Sequence, residues 1–151
     1  MAVALGSNLG DRDAHLAFAV DRLAGILADL RQSSLRETAP VGVGEQPQFL
    51  NGVVVGQTVL TARALLDALL AIERERGRER PRPGAARTLD LDLIFYGSAR
   101  VTEPDLVIPH PRFRERLFVL EPLAELAPDW IDPVSGAPVS ALLRRVRPSP
   151  S

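Results

Sequence analysis

RTLDLDLIFYG, residues 87–97, alternates apolar and polar side chains and then turns wholly apolar. That is the period of a β-strand with one face buried and the other wet. Leu89, Leu91, Leu93 and Phe95 are expected to point into a core, with Asp90 and Asp92 pointing away from it. Aspartate is a poor strand former, so two on one face require a reason. They would stand roughly 6–7 Å apart along the strand. If both stay ionised, an effective dielectric near 20 puts their repulsion at about 2–3 kcal/mol. Two readings fit. One is a charged edge strand that discourages aggregation. The other is a divalent-cation site, where hard carboxylate oxygens hold Mg²⁺ beside substrate phosphates.

The residues upstream bear on that choice. Arg74, Arg76, Arg78, Arg80, Arg82 and Arg87 crowd into a short stretch just before the strand. Glu–Arg pairs at i,i+4 on a solvated helix end account for Arg74 and Arg76. The other four fall in RERPRPGAAR, residues 78–87, where two prolines and a glycine forbid a regular element. A guanidinium forks onto phosphate oxygens and neutralises charge that develops during transfer. A basic loop beside a carboxylate pair therefore suits a polyphosphate substrate with Mg²⁺.

Further out, AVAL at 2–5 reads as a strand, and GSNLG at 6–10 as a structural turn without a P-loop or dinucleotide pattern. Leu16, Val20, Leu23, Leu27 and Leu30 form one helical stripe. SSLRET at 33–38 reads as a weak strand, and VGVGEQPQ at 41–48 as a loop. FLNGVVVGQTVL at 49–60 reads as a strand with Gly52 and Gly56 as possible bulges. Thr61 suits the N-cap of a helix with a Leu65, Leu69, Ile72 stripe and a C-cap at Gly77. Residues 100–110 read as extended. PRFRERLFVLEPLAELAP, 111–128, reads as a short helix or turn interrupted by Pro122, and SALLRRV, 140–146, as a last short helix. This order suggests an α+β sandwich of the split βαβ kind with a mainly antiparallel sheet.

The chain has 151 residues, enough for one domain, and 46% hydrophobic residues to fill its core. A net charge of −1 argues against a general nucleic-acid binder. All 18 basic residues are arginine, so any cationic phosphate contact must come from arginine. Without cysteine there is no disulfide, no thiolate–zinc site and no thiol nucleophile. MAVALGSNLGD lacks a signal-peptide n-region, and no stretch reaches the ~20 apolar residues of a membrane span. A cytoplasmic protein without membrane or nucleic-acid partners is expected.

Five segments together carry a resemblance. They are GSNLGDR (6–12), TAPVG with QPQFLN (38–51), the IE…GR step (72–78), RTLDLDLIFYG, and IPHPRFRERLFVLEPLAELAP (108–128). In this order they resemble the 6-hydroxymethyl-7,8-dihydropterin pyrophosphokinase family of folate biosynthesis. The resemblance implies a ferredoxin-like α/β sandwich and a single pyrophosphokinase domain over 1–151; a monomer is expected. It implies transfer of the diphosphate of ATP to the hydroxymethyl group of the dihydropterin, with two Mg²⁺ ions. Asp90 and Asp92 would hold the metal. Arg78 and Arg87 would stabilise the transferred diphosphate. Glu73, Arg80, Leu93, His110 and Arg116 would contact ATP. Thr38, Val41, Phe49, Asn51 and Phe118 would form the pterin pocket, with the two phenylalanines on either side of the flat ring. The chain departs from some members at PGAAR (83–87), which carries no tryptophan, and at Phe49, where tyrosine is commoner. Two other classes stay compatible with the residues: a non-catalytic ligand-binding module, and a different Mg-dependent nucleotidyl- or glycosyltransferase.

Overall fold

The computed structural model describes residues 1–38, 48–77 and 88–147. Strand β1 (Ala2–Ser7) lies inside a sheet of order β2-β4-β1-β5, built with β2 (Ala28–Gln32), β4 (Phe49–Gln57) and β5 (Asp90–Phe95). The short β3 (Arg36–Thr38) continues the β2 edge along β4. Every pairing is antiparallel.

Two helices cover one face. Helix α1 (Arg12–Ala24) starts at Asp11, whose carboxylate accepts from the Ala14 N–H. Helix α2 (Ala62–Glu75) starts at Thr61, whose hydroxyl accepts from the Ala64 N–H, as its sequence position predicts. Leu16 and Leu23 of α1 and Leu65, Leu69 and Ile72 of α2 pack on Val3, Leu5, Val54, Leu89, Leu91 and Leu93. The other face carries α3 (Leu117–Leu126) and α4 (Val139–Val146), packed on Ala2, Val53, Val55, Ile94 and Phe95. A hairpin of β6 (Val101–Glu103) and β7 (Leu106–Ile108) stands beside β5. Among the described residues no helix is long and apolar enough to cross a membrane.

Several expectations need correction. The Leu16–Leu30 stripe is not one helix. Helix α1 ends at Ala24, Gly25 donates to the Arg22 carbonyl, and Leu27 stays on the core as the chain turns into β2. A turning chain kept against a core preserves the apolar spacing of a helix, so spacing alone misplaced the boundary. Gly6 and Ser7 finish β1 rather than joining the turn. SSLRET is strand only at Arg36–Thr38. The irregularity in the β2–β4 ladder falls between Ala28 and Arg31 on β2 rather than at Gly52, which sits in regular register with Leu5. Gly52 serves close approach instead: a Cβ there would stand 2.7 Å from Leu35 Cδ2. Pro122 lies inside α3, where its burial with Val119, Leu120 and Leu123 outweighs one missing backbone bond.

The opening stretch also differs in one respect. Leu89, Leu91 and Leu93 enter the α1/α2 core as expected, but Phe95 does not. The β1–β5 register shifts between Ala2↔Phe95 and Val3↔Leu93, so an extra residue falls at Ile94. Phe95 thereby joins the α3/α4 core, edge-on to Phe113 with ring centroids 4.9 Å apart. The wholly apolar end of the strand is where it changes sides.

Candidate functional site

Strand register places the two acidic residues. Asp90 pairs with Gly6 and Asp92 with Ala4, both on the sheet face covered by α3 and α4. Gly6 also pairs with Asn51, and Asn51 with Arg36. Asp90, Gly6 and Asn51 thus form one row across three strands, with the carboxylate about 10 Å from the amide at the usual strand spacing. Gly6 keeps the middle of that row open. A Cβ there would stand 2.9 Å from Asn51 Oδ1 and 3.6 Å from Phe49 Cδ1.

On the far side of Gly6, Asn51 Nδ2 donates to Thr38 Oγ1 at 2.5 Å. Phe49 lies two residues earlier on the same face, paired with Thr38. Phe118, near the start of α3, packs at the border of that face with the Arg116 guanidinium 5.6 Å from its ring. Arg12 braces this corner: it donates to the Gln48 carbonyl at 2.8 Å and to Glu37 Oε1 at 2.5 Å.

On the near side, a cleft of about 260 Å³ opens beside β5, lined by Leu66, Asp92, Leu93, Leu106, Val107 and His110. His110 Nδ1 accepts from the Arg112 N–H at 3.2 Å. Burial first, then the charges of Arg116 and Arg112, push its pKa down to about 4 against the pull of Asp90. It is a neutral imidazole at pH 7. The cleft wall is steadied from outside: Arg63 of α2 pairs with Glu103 at 2.5 Å and Asp105 at 2.7 Å on the hairpin.

Glu73, expected on the nucleotide, is only 2% exposed. Its Oε2 accepts from the Leu91 N–H at 2.7 Å, between the two aspartates. The structure thus brings together Asp90, Asp92, Leu93, His110 and Arg116 on one side of Gly6, and Thr38, Phe49 and Asn51 on the other, with Phe118 beside Arg116. Val41, Arg78, Arg80, Arg82 and Arg87 lie outside the described residues, as do most of the 41–48 loop and all of the 78–87 loop. Among the described residues no group of three or more His, Asp and Glu side chains is disposed to hold a metal.

Sequence reasoning missed the cleft's apolar wall and its braces. Leu66, Leu106 and Val107 carry no charge or motif that marks them. It also missed Asp132, which is fully buried and accepts from Arg114 Nε at 2.5 Å, Arg114 Nη2 at 2.8 Å, the Val134 N–H at 3.0 Å and Ser135 Oγ at 2.7 Å. This ties the 3₁₀ turn Phe113–Glu115, between His110 and Arg116, to the turn before α4. Burial alone would raise the Asp132 pKa. The bonds from Arg114, Ser135 and Val134, with the Arg114 charge, outweigh it and hold the group at about 2, from 3.8. A folded-state pKa below the unfolded one stabilises above the ordinary carboxylate range and is lost as pH falls toward 2. The size is about 2 kcal/mol. The melting-temperature gap between wild type and Asp132→Asn is therefore expected to be full at pH 7 and nearly closed near pH 2.

A larger apolar notch of about 550 Å³, between Gly25–Ala28 and Gln57–Leu60, lies at the opposite end of the sheet and is lined by no titratable side chain.

Comparison with known proteins agrees with this fold. The fold matches the crystal structure of wild-type Plasmodium falciparum HPPK-DHPS with a TM-score of 0.76 at 16% identity, over 95% of this chain and 44% of that one. The chain spans less than half of that solved chain. The architecture is a ferredoxin-like α/β sandwich. A family model described as 7,8-dihydro-6-hydroxymethylpterin-pyrophosphokinase matches residues 2–128, and the chain belongs to this family. The 2-amino-4-hydroxy-6-hydroxymethyldihydropteridine pyrophosphokinase of Methylorubrum extorquens is 44% identical over 148 residues, covering 96% of this chain and 92% of its own. The protein of the same name from Synechocystis is 42% identical over 153 residues, covering 95% and 74%.

Proposed function

We propose that the chain transfers the diphosphate of ATP to the hydroxymethyl group of 6-hydroxymethyl-7,8-dihydropterin. The observation that carries this reading is the row Asp90–Gly6–Asn51. It sets a carboxylate pair beside an apolar cleft and, one open glycine away, a polar–aromatic pocket. A flat heterocycle would lie between Phe49 and Phe118, with Asn51 and Thr38 at its polar edge. Val41 would complete that pocket. The cleft holds the nucleotide, with Leu93 as wall and neutral His110 and cationic Arg116 at its mouth. Arg80 would join them.

Asp90 and Asp92 would hold Mg²⁺, two ions being expected, and their all-oxygen chemistry fits that metal. Bound there, Mg²⁺ would shield the phosphate charge against the approaching hydroxyl. The hydroxymethyl oxygen bonds to the β-phosphorus. The bond from that phosphorus to the α,β-bridging oxygen breaks, AMP leaves with the oxygen, and the hydroxyl proton is released. Arg78 and Arg87 would neutralise the diphosphate as it moves. Glu73 serves the same site from beneath, by fixing Leu91 between the aspartates.

The test is product identity. Purified protein with ATP, Mg²⁺ and the hydroxymethyldihydropterin is expected to release AMP and pterin diphosphate in equal amounts. Release of ADP or free pyrophosphate would assign it to another transferase class. Pterin binding without turnover, unchanged by EDTA, would make it a binding module.

A further inference from the structure

His15 and Arg76 join two segments that the sequence leaves unrelated. His15 lies in the first turn of α1 and Arg76 caps the end of α2. Arg76 Nε donates to His15 Nδ1 at 2.8 Å. The Arg76 guanidinium also lies 4.9 Å from the Phe18 ring centroid, and Arg22 approaches the same ring at 5.4 Å. Arg22 is in turn paired with Glu75 at 2.6 Å. On its other side the imidazole hydrogen-bonds the Leu9 backbone and packs on Gly10, where a Cβ would stand 3.2 Å from Nε2. Gly10 has φ +72°, a conformation that glycine adopts freely. One imidazole therefore holds the turn after β1, the start of α1 and the end of α2.

Nδ1 accepts from Arg76 only while it carries no proton. We propose that His15 is a positioning residue for the reaction, whose neutral imidazole fixes Arg76 and so the root from which Arg78 and Arg80 follow in the chain. The inference rests on the pyrophosphokinase reading for the role of those two arginines. It does not rest on that reading for the link itself.

Among the described residues, the charged groups that face His15 are Arg76 from α2 and Asp11 from its own N-cap. The Asp11 carboxylate also accepts from the Ala14 N–H at 3.1 Å. Burial and Arg76 lower the His15 pKa from its ordinary value, with Asp11 and the Leu9 backbone opposing. The link is thus closed at neutral pH. It opens as pH falls below the ordinary imidazole range, because an imidazolium has no acceptor for Arg76 and repels it.

The experiment compares wild type, His15→Asn and His15→Leu. Asparagine places an acceptor where Nδ1 stands and does not titrate; leucine removes it. AMP release is measured between about pH 5 and 8, spanning the imidazole range. At pH 8, His15→Leu is expected to lose about tenfold in kcat/KM for ATP through misplacement, and His15→Asn to stay near wild type. Toward pH 5 wild type should begin to fall toward the leucine level while asparagine holds. Titration of the substrate phosphates is common to all three and cancels in the ratios. Trypsin cleavage between Arg76 and Arg87 at pH 8 reads the link without activity, and should be fastest in His15→Leu. Parallel pH profiles with equal cleavage rates would overturn the proposal. A wild type that releases no AMP would instead overturn the pyrophosphokinase reading, and the cleavage rates would still decide the link.

Discussion

Asp92→Ala is expected to reduce AMP release roughly a thousandfold, about 4 kcal/mol in transition-state terms. Asp92 sits on the solvent-reachable part of β5 and lines the cleft, while the leucines on either side stay buried. The strand is anchored by Leu91 and Leu93, so the variant should keep its fold. Circular dichroism and a melting curve check this. The decisive comparison is Mg²⁺-dependent nucleotide binding, by calorimetry with a non-hydrolysable ATP analogue. Wild type should bind more tightly with Mg²⁺ than with EDTA, and the variant should lose that difference. If Asp92→Ala turned over normally, the carboxylate pair would be a charged edge and nothing more.

Glu73→Leu should be the most destabilising single change near the site. It removes the acceptor of the Leu91 N–H inside the protein. A lost hydrogen bond and a buried orphan donor together cost about 3 kcal/mol. For a chain of this size that is roughly a 6–12 °C drop in melting temperature. Glu73→Gln keeps an oxygen for Leu91 and should recover most of the loss. Well below its melting point the leucine variant should still turn over about tenfold more slowly, because the strand between the aspartates has lost its tether. If leucine and glutamine behaved alike, the bond to Leu91 would not be what holds β5.

Much of this arrangement is legible in RTLDLDLIFYG itself. Alternation gives the strand, its buried leucines and its paired carboxylates. The change of side at Ile94 is not legible, because a bulge inside an apolar run leaves the pattern apolar. Strand β2 is hidden for a related reason. ADLRQ is an exposed edge strand, so no alternation marks it, while Leu27 and Leu30 extend the periodicity of the helix before it. The N-cap at Thr61 is a local signal and reads directly. The braces are not local: Arg76 reaches His15 across 61 positions, and Arg12 reaches Glu37 and Gln48 across 25 and 36. No short window contains both partners. Glu73 is singled out only by the family resemblance, and its burial and its bond to Leu91 come only from packing.

Strand β5 is an edge of the main sheet, the position where a protein is most open to pairing with a foreign strand. Here that edge is also where the proposed chemistry needs substrates to enter, so a permanent cover would defeat it. The outward Leu91 N–H is taken by Glu73 and the outward Ile94 carbonyl by the His110 N–H at 3.0 Å. The backbone that would seed cross-chain β-association is therefore occupied at both points by groups of the same molecule, while the carboxylates project on the perpendicular face. The same glutamate that tethers the strand thus occupies an edge donor that a foreign strand would otherwise take. Loss of Glu73 should accordingly show as turbidity on prolonged warming as well as in a melting curve.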